Sequence, residues 1–180
     1  MKKLKIIFLG MQGSGKSTQA QLLASKLQIP YIEMGQLLRD KSRDLDDIAR
    51  KIKEALSAGK LVANRITIDT LKEKLSEPGF EKGYVLDGYP RNKQQVMHID
   101  KDISKVFYIK VPDKEATSRL SKRGRHDDTP GLIRKRIEIY HHQTEPLLQY
   151  FKSRGLLDEV NGKRKVEEIN KDLLQRISNL

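Results

Sequence analysis

The run Gly10-Met11-Gln12-Gly13-Ser14-Gly15-Lys16-Ser17 fits G-x-x-x-x-G-K-[ST] and follows directly on the apolar segment Leu4-Lys5-Ile6-Ile7-Phe8-Leu9. A buried strand, a glycine-rich turn and then a helix is the setting in which this pattern binds phosphate. The glycines allow a tight turn whose successive N–H groups converge on phosphate oxygens. Lys16 supplies a compact positive charge, and the Ser17 hydroxyl can ligate magnesium. From Ser17 to Leu27 the chain is rich in helix formers, so the positive end of that helix's dipole faces the same anion. The pattern predicts a site for a nucleoside triphosphate.

With 180 residues the chain is most simply one domain, long enough to bury a core without disulfides or metals. It has no cysteine, which excludes disulfides and thiolate zinc sites and fits a reducing cytoplasm. Met1-Lys2-Lys3 ahead of an apolar run faintly resembles a secretion signal, but the run is short and leads straight into the phosphate loop; it reads as the first strand. No apolar stretch approaches membrane-spanning length, and the low mean hydropathy of -0.65 predicts a soluble protein. The net charge of +12, from 36 Lys plus Arg against 24 Asp plus Glu, suits either nucleic acid or polyphosphate substrates. The longest basic clusters, Arg134-Lys135-Arg136 and Lys163-Arg164-Lys165, are short and lack interleaved aromatics. No zinc-finger spacing or RNA-recognition signature is present, so no dedicated nucleic-acid partner is expected.

Further apolar runs predict strands at Tyr31-Ile32, Tyr84-Val85-Leu86, Val106 to Val111 and Leu156 to Val160, with helical patterns between them. Alternating strands and helices imply an α/β fold: a parallel sheet covered on both faces, with ligands at the carboxyl ends of its strands. Two stretches interrupt the alternation. From Glu33 to Leu75 the chain stays helical and highly charged, with a turn at Ala58-Gly59. From Arg123 to Gly131 it is polar. Both read as insertions over the substrate face. Ile133 to Phe151 predicts one long amphipathic helix, with Ile133, Ile137, Tyr140, Leu147 and Leu148 near helical spacing despite Pro146.

A phosphate loop alone does not separate GTPases, motors, ATPases and small-molecule kinases. Asp128-Thr129-Pro130-Gly131 and Asn92-Lys93-Gln94-Gln95 look like GTPase fragments, but they occur in reverse order and the second lacks the aspartate that reads guanine; chance accounts for them. Asp87-Gly88-Tyr89-Pro90-Arg91 at a strand end is more informative, followed by Arg119, Arg123, Arg125 and Arg136 around the polar insertion. An acid beside the phosphate loop can hold magnesium's water shell, and arginines can neutralise a phosphoryl group in flight.

At these residues the chain resembles the adenylate kinase family of nucleoside monophosphate kinases, short-lid type, over almost its whole length. The phosphate loop continues into Thr18-Gln19-Ala20 as in that family, and Met34-Gly35-Gln36-Leu37-Leu38-Arg39 parallels its monophosphate-binding segment. Gly59-Lys60-Leu61-Val62, Asp87 to Arg91 with Gln95, Arg125-His126-Asp127-Asp128, Arg136, Tyr140 and Thr144-Glu145-Pro146 complete the series. The resemblance implies a three-layer P-loop NTPase-like fold with a five-stranded parallel sheet. It also implies one kinase domain over 1–180, with a monophosphate-binding arm at 33–75 and a short lid at 123–131.

It assigns Gly13, Ser14, Gly15, Lys16, Ser17 and Thr18 to the triphosphate, with Arg119 against the base of ATP and the backbone near Arg164 contacting that base. Met34, Gly35, Arg39, Leu61, Val62, Gly88, Arg91 and Gln95 would hold the monophosphate. Lys16, Arg91, Arg123, Arg125 and Arg136 would surround the transferred group. Asp87 would position hydrated magnesium, and Asp127 and Asp128 would order the lid arginines. A cytoplasmic monomer follows, with no membrane association, that moves the γ-phosphoryl group from Mg·ATP to a nucleoside monophosphate. AMP is the first expectation; CMP, UMP or a metabolite as acceptor, and a basic nucleic-acid-associated ATPase, are the alternatives.

The chain departs from the family at several places. Gln12 stands at the usual proline, Met34 at the usual threonine near the monophosphate base, Gln36 at aspartate, and Ala63-Asn64-Arg65 where Pro-Asp-Glu is common. The lid is abbreviated, so the matching of Arg123 and Arg125 depends on where the deletion falls. The zinc-binding cysteines of some long lids are missing, so no zinc is expected. His98, His126, His141 and His142 lack metal-ligand spacing and are expected to face solvent.

Overall fold

Each of the five apolar runs becomes a strand, and the order of the strands in space explains their composition. The computed structural model describes residues 3–125 and 128–179. Strands β1 (Leu4–Leu9), β2 (Tyr31–Glu33), β3 (Gly83–Asp87), β4 (Lys105–Lys110) and β5 (Leu157–Asn161) form one parallel sheet in the order β2-β3-β1-β4-β5. The central strand β1 is apolar and buried from Ile6 to Leu9 because both of its faces are covered, while Lys5 near its start pairs with Asp100 and Asp102. Ile7 and Leu9 point into one core cluster with Ile32, Leu86 and Val106, on the side of Leu38, Ile52 and Ile68. Ile6 and Phe8 point into the other with Val85, Phe107 and Val160. There they meet Ala20, Leu23 and Ala24 of α1 (Lys16–Leu27) and Ile169, Leu173 and Ile177 of the last helix.

The long helical stretch after β2 resolves into α2 (Met34–Lys41), α3 (Asp47–Ser57) and α4 (Asn64–Leu75). Asp46 starts α3 by accepting a hydrogen bond from the Ala49 amide at 2.6 Å, the usual work of an N-cap carboxylate. Three short segments follow among the later strands: α5 (Lys93–Val96), capped by Asn92, then α6 (Asp113–Arg123) and α7 (Pro130–Ile139). Thr129 caps α7, and Pro130 sits in its first turn, where a missing N–H costs nothing. The GTPase-like letters Asp128-Thr129-Pro130-Gly131 are thus a helix start.

The expected single helix over 133–151 is corrected. Helix α7 ends at Ile139, a wider π-helical turn spans Tyr140–Thr144, and α8 (Leu147–Ser153) begins after Pro146. Proline cannot donate to the carbonyl four residues back and its ring crowds that carbonyl. The chain instead closes with a bond from the Glu145 amide to Tyr140 O at 2.9 Å, five residues apart. Helix α9 (Val166–Ser178) completes the fold. No helix among the described residues is long and apolar enough to cross a membrane.

Register in the sheet carries the site: Phe8 pairs with Asp87, so β3 ends beside the start of the phosphate loop. That register depends on Gly83, which opens β3 at φ +115°, where a Cβ would lie 2.0 Å from Leu4 O. Gly83→Ala combines a glycine-only backbone angle with a clash between paired strands. Urea unfolding of this variant should show a loss of about 3 kcal/mol or more; a midpoint equal to the unmodified protein would remove the constraint.

Candidate active site

The phosphate loop is shaped by close approach. Gly13 has φ +84°, and a Cβ on it would lie 2.5 Å from Ala116 O of α6, so only glycine lets the loop rest on that helix. Gly15 is the N-cap of α1 without any side-chain cap, and the first turn carries no acid. Its amides and the positive helix end are thereby left for an anion.

Lys16 is buried, its Nζ 4.0 Å from Asp87 Oδ1. Burial pulls its pKa below the ordinary lysine value, against the opposing pull of Asp87. Asp87 itself is 1% exposed. Its Oδ2 accepts from the Ser17 hydroxyl at 2.5 Å and from the Tyr31 hydroxyl at 3.3 Å. Burial and then the charge of Asp87 push the Tyr31 phenol far above its ordinary range, so Tyr31 stays a neutral donor. Asp87 Oδ1 has no hydrogen-bond donor among the described residues. A hydroxyl and a carboxylate with one unmet oxygen suit a hard, hydrated cation such as Mg²⁺, which takes few protein ligands when it arrives with a nucleotide. Among the described residues no group of three His, Cys, Asp or Glu could cage a metal by itself.

A cleft of about 380 Å³ opens over this loop. Gly13, Gly15, Lys16, Ser17 and Thr18 line it from the loop and α1; Met34, Gly35 and Arg39 from α2; Leu61 and Val62 from the approach to α4. Asp87, Gly88, Arg91 and Gln95 line it from the end of β3, and Arg119, Arg123, Arg125 and Arg136 from α6, α7 and their connection. Two expected residues do not line it. Ser14 is buried beneath the loop, and the Arg164 guanidinium pairs with Asp172 at 2.5 Å. Gln12, Glu33, Leu38, Lys60 and Thr67 line the cleft without having been assigned to the site from sequence. For Gln12 the signal existed, as a departure in the loop itself.

The cations are held by oxygen acceptors that leave them facing inward. Arg91 Nε donates to Gly88 O at 2.9 Å, while Arg91 O accepts from Thr144 Oγ1 at 2.9 Å. Burial lowers the Arg91 pKa; Asp87 opposes this, and the neighbouring charges of Arg136 and Arg39 add to it. Arg39 pairs with Glu33 at 2.9 Å. Arg119 bridges Ser14 O at 3.3 Å and Gly162 O at 3.1 Å, tying the loop to the segment after β5. Arg123 grips Asp128 with two bonds of 2.8 and 2.7 Å, and Arg136 reaches the same carboxylate at 3.2 Å. With a side chain only 2% exposed, Asp128 is a strut between two arginines. Asp127 and His126 lie outside the described residues.

Gln95 is also fixed. Its Oε1 accepts from the Arg91 amide at 2.7 Å, and its Nε2 donates to Asn64 Oδ1 at 3.0 Å. Asn92 Nδ2 donates to the same oxygen at 2.8 Å, and Asn64 Nδ2 donates to Gln94 Oε1. A primary amide has two donor hydrogens and two lone pairs. One of each remains on Gln95 for the cleft.

His141 is partly open to solvent, as expected, and is also paired with two acids. Its Nδ1 lies 2.8 Å from Glu145 and its Nε2 3.0 Å from Asp113, with the Tyr140 ring edge-on at 5.4 Å. Hydrogen bonds to Glu145 and then to Asp113 raise its pKa above the ordinary 6.5. Because the folded state holds the proton more tightly, this pairing contributes fully below the unfolded value and fades as pH rises through the higher folded one. The side chain is 37% exposed, so the contribution is small. An NMR titration should place the His141 midpoint above 6.5, and Asp113→Asn should lower it; a midpoint at or below 6.5 in the unmodified protein would contradict the pairing.

The adenylate kinase family model matches residues 8–156. The adenylate kinase of Prochlorococcus marinus strain MIT 9515 is 37% identical over 186 aligned positions, covering 99% of this chain and 100% of its own. Adenylate kinase 1 of Nostoc sp. strain PCC 7120 is 35% identical, with 94% and 96% covered. The adenylate kinase of Caldicellulosiruptor bescii is 31% identical, with 97% and 99% covered. With the loop, the buried acid and the converging arginines in one cleft, these matches show that the chain belongs to the adenylate kinase family.

Proposed function

We propose that this chain transfers the γ-phosphoryl group of Mg·ATP reversibly to AMP, giving two ADP. The observation that carries the reading is a single cleft with two phosphate grips. Lys16, Ser17 and the loop amides form one, Arg39 and Arg91 the other, and Arg123, Arg125 and Arg136 line the space around them. The acceptor phosphate is already ionised near neutral pH, so no general base is needed. Catalysis is placement of that oxygen in line with the γ-phosphate together with stabilisation of spread negative charge. Ser17 and Asp87 would hold Mg²⁺ and its waters, and the ion would neutralise charge on the phosphates of ATP. Arg119 would form a wall for the adenine of ATP.

Helices α2 to α4, within 33–75, are the monophosphate arm, and 123–131 the lid; their closure would expel water and protect ATP from hydrolysis. Both grips come from one chain, which supports a monomer acting on soluble nucleotides of the cytoplasm. Neither zinc nor a nucleic-acid partner is required.

Product analysis with Mg·ATP and a panel of nucleoside monophosphates, small metabolites, RNA and DNA tests the reading. Failure to form ADP from ATP and AMP would overturn it. Lys16→Met should lower turnover by about three orders of magnitude or more while thermal unfolding stays normal, since a phosphate-facing cation is lost. Arg91→Ala should raise the KM for AMP and lower kcat together; unchanged values for either variant would remove that residue from the mechanism.

Base selectivity rests on Gln95, whose remaining donor and acceptor match an adenine edge. Asn64 orients it, and Met34 offers no hydroxyl to help. Specificity constants for AMP, CMP, UMP and GMP should rank AMP first. Asn64→Leu should erode that preference about tenfold, and Met34→Thr should sharpen it by a similar factor. A preference of the unmodified protein for CMP or UMP would show that Gln95 reads another base.

A further inference from the structure

Gln12 stands where two cavities meet. It lines the main cleft, and it also lines a small cavity of about 20 Å³ behind the phosphate loop, shared with Lys16, Gly88, Arg91, Tyr140 and Thr144. Lys16 belongs to the donor grip and Arg91 to the acceptor grip, so Gln12 sits at the boundary between them. Its Oε1 is buried and takes no hydrogen bond from the described residues. A buried acceptor without a donor is unfavourable in the nucleotide-free protein.

We propose that Gln12 is a further catalytic residue. Its Nε2 donates a hydrogen bond to the phosphoryl group in flight, while its Oε1 accepts from the Lys16 ammonium or the Arg91 guanidinium beside it. The inference rests on the phosphoryl-transfer reading above. An amide suits the position because it adds a donor without adding charge: a carboxylate there would repel the γ-phosphate, and a further cation would crowd Lys16 and Arg91. The bonds of the phosphoryl group form and break as before, and Gln12 exchanges no proton. Thr18 and Gln95 line the main cleft but not the small cavity that Gln12 shares with Lys16 and Arg91. Loss of Gln12 is therefore felt in the transition state and not in either ground state.

The test compares the unmodified protein with Gln12→Ala, Gln12→Met and Gln12→Glu. Methionine keeps length and volume but has no N–H donor, so it separates the hydrogen bond from packing. Steady-state kinetics should show kcat lowered about 10- to 100-fold in Gln12→Ala and Gln12→Met, and further in Gln12→Glu, with each KM within about twofold. Affinity for Mg·ADP with aluminium fluoride and AMP, a mimic of the phosphoryl group in flight, should weaken by the same factor, while binding of ADP or AMP alone holds. Melting temperature checks that the loop remains folded.

Unchanged kcat in Gln12→Met would overturn the inference. So would a lowered kcat without weaker binding of the fluoride complex, or a rise in KM for one nucleotide alone. If the unmodified protein makes no ADP from ATP and AMP, the functional reading fails first, and an active unmodified protein with indifferent Gln12 variants refutes this inference alone.

Discussion

The arrangement depends on one buried carboxylate. Asp87 ends β3 at the point where the sheet register places it beside the loop leaving β1. Its oxygens gather Ser17 from α1, Tyr31 from β2 and, at longer range, Lys16. The start of α1, the start of β2 and the end of β3, distant in sequence, are therefore tied together. A charge in such a place is costly to desolvate, and the two hydroxyl hydrogen bonds from Ser17 and Tyr31 offset part of that cost. The same burial depresses the Lys16 and Arg91 pKa values. An opposite charge beside either cation would favour its charged form, which suits both side chains to a phosphate.

Around this anchor the cleft carries eight Lys and Arg side chains and two carboxylates in its lining. Mutual repulsion of so many cations would splay α6 from α7. Asp128 counters it by binding Arg123 and Arg136 together outside that lining, and Glu33 steadies Arg39 in the same manner. The acids hold the guanidinium groups in place, and cations still outnumber acids where phosphates would sit. Part of the +12 net charge thereby acquires a local purpose, and no nucleic-acid surface is needed to explain it.

What could be read from sequence follows from the range of the forces involved. The five strands and the phosphate loop were legible because apolar runs, glycine angles and a helix start are local. Arg39 lies on α2, Arg91 after β3, Arg119 and Arg123 on α6 and Arg136 on α7, so only likeness to a family could bring them together in advance. Asn64's hold on Gln95 was invisible because its partners lie 28 to 31 positions away across an arm. Of the two acids beside His141, Glu145 is four positions on and legible, whereas Asp113 is 28 positions earlier on another helix. The break at Tyr140 was hidden by good amphipathic spacing on both sides of Pro146. Here the missing amide of proline outweighed a pattern that otherwise favoured one helix.

That break also lets one segment make contacts on two sides of the cleft. A π-helical turn adds a residue to the winding and so rotates everything beyond it relative to the helix before it. Upstream, Arg136 on α7 faces the cleft and Asp128. Within the turn, Tyr140 packs among Met11, Tyr108, Val111 and Ala116, against the phosphate loop and α6. At its end, Thr144 donates to the carbonyl of Arg91. An unbroken α-helix would hold these three contacts at fixed angles of about 100° per residue, and the widened turn relaxes that constraint. One short segment thus spans Arg136, the packing behind the phosphate loop and the backbone of Arg91.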